Sequence, residues 1–145
     1  MPRGTLIRPS DVKPFLVSDV YVSRMLLDHT NSESQKVHVN HGTLAPGGTL
    51  LPASAHGTDQ DHYDETYFIV KGRCKLELDG EVLAIQAGDV IFIPGGVTHG
   101  LDNSEGLEEV ELLTIWAGVP PEGINGVYDA RVERWGKSYR TVDED

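Results

Sequence analysis

Five histidines and one glutamate stand where strand ends could bring them together: His38, His41, His56, His62, His99 and Glu65. Neutral imidazole is the commonest protein ligand for transition metals, and carboxylate oxygens often complete such sites. Donors so far apart in sequence can meet only if separate elements carry them to one point. His99 is the best placed. The short apolar run VIFI at 90–93 is broken by Pro94-Gly95-Gly96, and the chain turns back through Val97 and Thr98 to His99. Proline fixes φ and glycine admits positive φ, so this histidine sits on stiff backbone at a strand mouth. Local pattern alone leaves two readings open, a metal ligand and a turn histidine bonded to water. His62 lies three residues before Glu65, at the start of the strand-like run ETYFIV. His29 falls in the polar stretch DHTNSESQK and reads as an exposed loop residue.

The run VHVNHGTL at 37–44 offers two histidines on opposite faces. A period of two puts Val37, Val39 and His41 on one side and His38, Asn40 and Gly42 on the other. With the valine face inward, His41 points at the interior, and a bulge at Gly42 returns Leu44 to the same side. His41 is therefore preferred to His38 as a donor.

The elements that must hold these residues are short strands. Alternating or continuous apolar runs of strand-forming residues occur at 19–27, 37–44, 65–70, 73–78, 81–85, 90–93 and 108–116. Turn signals separate them: Ala45-Pro46-Gly47-Gly48, Lys71-Gly72, Asp79-Gly80 and Gln86-Ala87-Gly88-Asp89. The spacing predicts an all-β sandwich or barrel with little helix. Residues 49–61 read as irregular. Residues 127–135 fit either one short helix or a docking segment.

The 145 residues suffice for one domain with a real core. With 12 Lys+Arg against 23 Asp+Glu the formal charge is −11, a field that repels nucleic acid and anionic membrane. The acids of 105–111 and of the Asp143-Glu144-Asp145 tail read as solvated. Cys74 is the single cysteine, and alternation within RCKLEL makes it a small core residue rather than a nucleophile. No signal-peptide pattern and no run near the ~20 apolar residues of a membrane span is visible. The expected compartment is the cytoplasm.

The spacing Gly88-x5-Pro94-x-Gly96-x2-His99-x3-Asn103 resembles the second cupin motif at every defined position. The first cupin motif carries His-x-His, then Glu, then Gly seven residues later. Glu65 and Gly72 match its second half, but His-x-His is absent, and His56 and His62 stand in its place. The resemblance runs over 37–116 and implies a single jelly-roll cupin domain over 1–145, with an N-terminal arm at 1–18 and a C-terminal extension at 117–145. VNHGTLAPGG, DETYFIVKG and ARVERWGKSYR are similar to cupin-type cyclases of bacterial aromatic polyketide pathways, most of all the resistomycin type.

That resemblance implies a divalent metal, with zinc favoured because aldol chemistry needs a Lewis acid and no redox change. Fe, Ni and Mn remain open. The expected ligands are His41, His56, His62 and His99, with Glu65 beside the metal; the alternative is the family's usual three histidines plus Glu65. His62, His99 and Glu65 are the expected catalytic residues. Tyr67, Phe92, Leu101 and Trp116 are the expected walls of a pocket for a poly-β-ketone, free or bound to a carrier protein. The resemblance also implies a homodimer, with residues 1–10 crossing between subunits. Two other classes stay open: a different metal cupin enzyme, such as an iron dioxygenase or an isomerase, and a non-catalytic small-molecule-binding cupin.

Overall fold

Alternate residues of a strand face opposite ways, so the pattern of buried side chains fixes which face turns inward. The computed structural model describes residues 3–28, 31–34, 37–55, 64–117 and 140–141. Among them the strands are β1 (Phe15–Ser18), β2 (Tyr21–Leu27), β3 (Val37–Leu44), β4 (Glu65–Lys71) and β5 (Arg73–Leu78). They continue with β6 (Glu81–Gln86), β7 (Val90–Ile93), β8 (His99–Asp102), β9 (Val110–Ala117) and β10 (Arg140–Thr141). The one helical piece among the described residues is a 3-10 turn at Pro9–Asp11, and none is a helix long and apolar enough to cross a membrane.

These strands form two antiparallel sheets, one ordered β10-β1-β2-β3-β9-β4-β7 and one ordered β6-β5-β8. This is the jelly-roll arrangement expected from the sequence. Residues 118–139, which include the expected helix or docking segment at 127–135, lie outside the described residues.

The main core fills the space between the sheets. Leu44, Ile69, Leu76, Val110 and Leu112 are fully buried, packed with Leu101, Ile93 and Ile85. Burying each large apolar side chain contributes roughly 1.5–3 kcal/mol. A smaller apolar group of Phe15, Met25 and Trp116 lies apart from it.

Two segments outside the main strands are tied to the sheets. The last residues of the N-terminal arm form β1 and pair with β2 and β10. The irregular stretch after β3 is pinned by two single bridges, Thr49 to Asp102 and Ser54 to His99. Gly100 permits this approach, since a Cβ there would lie 2.6 Å from the Leu50 carbonyl oxygen.

Two measurements check the packing. Leu112→Ala is expected to lower the unfolding free energy in urea by about 2–5 kcal/mol, the usual cost of a core cavity. Burial, with the Asp102 carboxylate adding to it, pushes the Cys74 thiol up to about 11. The thiolate is the reactive form, so at pH 8 iodoacetamide should label the folded chain roughly 100-fold more slowly than the unfolded one, with the folded rate rising about tenfold per pH unit below the raised pKa. Equal labelling rates would show that Cys74 does not face inward.

Candidate metal centre

The inner face of the large sheet carries a polar rim. Cross-strand register aligns His38, Trp116, Glu65 and Ile93 in one row. The next row holds Asn40, Thr114, Tyr67 and Ile91. His38 is 1% exposed and Glu65 is 2% exposed. From the facing sheet comes His99, first residue of β8 and also buried.

Backbone holds His99 tightly. Its N–H donates to Ser54 O at 2.9 Å and its carbonyl accepts from Ser54 N at 3.0 Å. The turn before it closes with Val97 N donating to Pro94 O at 3.1 Å, and Gly96 takes φ 84°. Asp64 Oδ1 accepts from Gly95 N at 3.0 Å, tying this turn to the residue just before Glu65. Asp64 itself is exposed and acts as a brace.

The ring of His99 has its tautomer set by this frame. Nδ1 lies 2.9 Å from the Val97 carbonyl oxygen, which only accepts, so Nδ1 carries the hydrogen and donates. Nε2 then points at Glu65 Oε2, 3.3 Å away. Two lone pairs cannot face each other at that range in a buried site without a proton or a cation between them. Either Nε2 and Oε2 share a proton, or both atoms share a cation. Two ligands at right angles on a metal with bonds of about 2.1 Å stand ~3 Å apart, so the observed spacing fits two neighbouring ligands of one ion. The donor set, imidazole nitrogen and carboxylate oxygen, suits a divalent metal. Tyr67 stacks edge-on against His99 with ring centroids 5.8 Å apart, walling this side of the pair.

The structure separates the other sequence candidates. His56 and His62 lie outside the described residues. His41 does not face the interior: β3 buries His38, Asn40, Gly42 and Leu44, and the Val37–Val39–His41 face is the outer one. There His41 Nε2 meets Glu111 Oε1 at 3.5 Å, both side chains partly exposed. The inward assumption failed because the outer face of β3 is itself apolar, so valines did not mark the core. Phe92 is likewise turned outward and is 57% exposed, because β7 buries Ile91 and Ile93 instead. Tyr67, Leu101 and Trp116 do face the interior and are buried.

Sequence reasoning undervalued His38 and passed over a polar patch beneath the rim. Asn40 Nδ2 donates to Ser23 Oγ at 2.8 Å, both residues fully buried. Thr114 beside them is buried, and its hydroxyl has no hydrogen-bond partner. The usable signal was Asn40 itself. A polar residue two positions from His38 and four from Leu44 shares their face, and Leu44 continues the core. Among the described residues no group of three or more His, Cys, Asp or Glu gathers around one point.

With this geometry in view, the comparisons agree on the fold. Residues 40–116 match the family model described as a cupin domain, and the chain belongs to the cupin family. An uncharacterized protein of Methanocaldococcus jannaschii is 28% identical over 110 residues, covering 76% of this chain and 82% of the relative. An oxalate-binding protein of Thermotoga maritima is 26% identical over 113 residues, 77% of this chain and 93% of the relative. Among solved structures, the polyketide cyclase RemF of Streptomyces resistomycificus superposes with a TM-score of 0.69 at 19% identity, covering 99% of this chain and 88% of that one.

The placement of β3 yields a clean test. Zinc titration of the purified chain after chelation should show affinity reduced at least tenfold, as expected on losing a ligand or its close support, in Glu65→Gln and His99→Ala. His41→Ala should bind as the parent does, with a stability change below about 1 kcal/mol, since it loses only a partly exposed ion pair. Loss of metal in His41→Ala alone would reverse the assignment.

Proposed function

We propose that this chain is a metal-dependent cupin cyclase that closes rings on a poly-β-ketone by aldol-type carbon–carbon bond formation followed by loss of water. The observation carrying this reading is the buried His99–Glu65 pair at 3.3 Å with the His99 tautomer locked. Two further features support it. The pair lies beside two buried aromatic side chains, Tyr67 packed edge-on against His99 and Trp116 next to Glu65 in register, which suit a planar conjugated ketone. The superposition on RemF also extends along nearly the whole chain.

Glu65 and His99 would hold the ion, with His56 and His62 as additional ligands. A divalent metal there, zinc in this reading, supplies a Lewis acid that polarises a ketone oxygen. The chain does the rest. Tyr67, Leu101 and Trp116 keep water out and press the ketide into a bent conformation, so that two reacting carbons meet as one molecule. The carboxylate oxygen of Glu65 that does not face His99 takes a proton from the methylene between two carbonyls, where the C–H is acidic. That carbon then bonds to a ketone carbon further along the same chain. The proton returns to the new alkoxide oxygen; that hydroxyl then leaves as water with a second proton from the former methylene carbon, and enolisation of the remaining ring ketone gives the aromatic ring. His99, fixed through Nδ1, keeps Nε2 aimed at the site throughout. The substrate arrives free or on a carrier protein.

A second reading rests on the Thermotoga maritima relative named as oxalate-binding. Here the same site holds a small dicarboxylate and carries out no reaction.

One experiment separates the two. The zinc-loaded chain is mixed with a synthetic poly-β-ketone thioester, and cyclised, dehydrated product is followed by mass spectrometry. Product formation should exceed the spontaneous rate, fall at least 100-fold in the His99→Ala variant, and vanish on chelation. Undiminished cyclisation without metal ends the Lewis-acid scheme. Saturable oxalate binding with no cyclisation establishes the second reading.

A further inference from the structure

β9 lies inside the large sheet, paired with β3 on one side and β4 on the other. A strand so placed commits its backbone groups, and those facing it, to the ladder. A hydroxyl on its inner face must then find a partner in another side chain or in something that enters the interior. Thr114 is such a case. It is 4% exposed, and its Oγ1 is buried and bonded to no group among the described residues.

Its neighbours leave that hydroxyl alone. Asn40 and Tyr67 flank it in register. Asn40 turns its amide nitrogen the other way, to Ser23 Oγ at 2.8 Å. Tyr67 packs its ring against His99. An unbonded hydroxyl in a dry interior is costly, and a valine of nearly the same shape would avoid that cost.

Register also places the hydroxyl relative to the candidate metal centre. The row at the centre holds His38, Trp116 and Glu65. The row of Asn40, Thr114 and Tyr67 follows, a step of two residues or roughly 6.6 Å along the strands. The next row holds Ser23, Gly42, Leu112 and Ile69, and there side chains close the interior. Gly42 makes room for the Tyr21 phenol, since a Cβ at Gly42 would collide with the Tyr21 hydroxyl. Tyr21, Leu112 and Ile69 are all buried.

We propose that Thr114 Oγ1 binds a ketone or enol oxygen of the substrate, further along the ketide from the carbonyl held at the metal centre. This rests on the cyclase reading of the site and adds to it the residue that sets how far the ketide enters.

Three features select that ligand chemistry. A hydroxyl both donates and accepts. A β-diketone presents either partner, since its ketone oxygen accepts and its enol donates. The row of Asn40, Thr114, Tyr67 and Ile91 carries no charged side chain. It therefore suits a neutral oxygen and offers a buried carboxylate nothing to pair with. A poly-β-ketone also carries an oxygen on every second carbon, so a ketide anchored beside Glu65 has another oxygen to offer deeper in the interior. Fixing two oxygens of one ketide restricts which of its carbons can meet, and so which ring closes.

Isothermal titration of the zinc-loaded chain with diacetylacetone, a linear triketone, tests this beside the cyclisation assay. Thr114→Val should weaken triketone binding roughly tenfold, the effect of leaving a ligand oxygen unpaired, and raise KM for the thioester by a similar factor. Thr114→Ser, which keeps the hydroxyl, should bind within roughly threefold of the parent. Zinc affinity should be unchanged throughout. The thermal midpoint of Thr114→Val should equal or exceed that of the parent, because the hydroxyl it lacks bonds nothing in the protein. Equal triketone affinity in the parent and Thr114→Val overturns the proposal, as does a parent that binds no triketone. A lowered midpoint in Thr114→Val also overturns it, by giving the hydroxyl a structural bond. Triketone binding that depends on Thr114, with no cyclisation of the thioester, removes the reaction assigned above and leaves this contact standing.

Discussion

A carboxylate buried to 2% exposure needs a compensating positive charge, because an isolated ionised group in a dry interior is far too costly to keep. Glu65 faces His99 Nε2, where a shared proton or a bound cation meets this need, and much of the local structure serves that contact. The two residues are 34 positions apart and come from different sheets. Their meeting requires β4 and β8 to begin at the same level of the sandwich. The Asp64–Gly95 hydrogen bond sets that level by joining the segment before β4 to the turn before β8. The Ser54 bridge then clamps His99 from its other side. With Nδ1 committed to the Val97 carbonyl, the imidazole can neither flip nor change tautomer without losing a buried hydrogen bond. The His99 ring is thus held in place before any ligand arrives, which is what a metal centre or a charge-stabilising pocket requires.

The interior divides its tasks by depth. Leu44, Ile69, Leu76, Val110 and Leu112 form a dry layer at one level. The polar residues His38, Asn40, Ser23, Thr114 and Glu65 occupy the level nearer the site, bordered by Phe15, Met25 and Trp116. Polar groups in a core are expensive unless bonded, and Asn40 with Ser23 shows how part of that cost is offset. Separating the two layers lets the apolar one supply stability while the polar one is free to serve chemistry.

Much of this was legible in the sequence, for physical reasons that can be named. Strand positions follow from turns that few sequences can make. The hairpin at Asp79-Gly80, with φ of 50° and 82°, is such a case. The position of His99 follows from Pro94 and Gly96, whose backbone preferences are strong and local. Glu65 was visible as a candidate, but its partnership with His99 was not, because pairing across sheets leaves no local trace. The orientation of β3 was misread for a different reason. Period-two logic finds two faces and then needs a polar face to say which is outside. On β3 the candidates were valines on one face and a His-Asn-Gly row on the other, so hydrophobicity pointed the wrong way.

The misreading of His41 and the misplacing of Phe92 have one cause. Both residues lie on the same outer sheet face, and both were sent inward because their neighbours are apolar. A strand of a sheet wetted on one side alternates; a strand apolar on both sides belongs to a middle layer. β4 reads Thr-Tyr-Phe-Ile-Val and β7 reads Val-Ile-Phe-Ile, the composition of strands covered on both sides. On that face Glu111 of β9, paired with His41, is the acid that stands among the apolar residues. The metal-centre face and the outer face are the two sides of one sheet, and substitutions on β4 reach one or the other according to the parity of the residue changed.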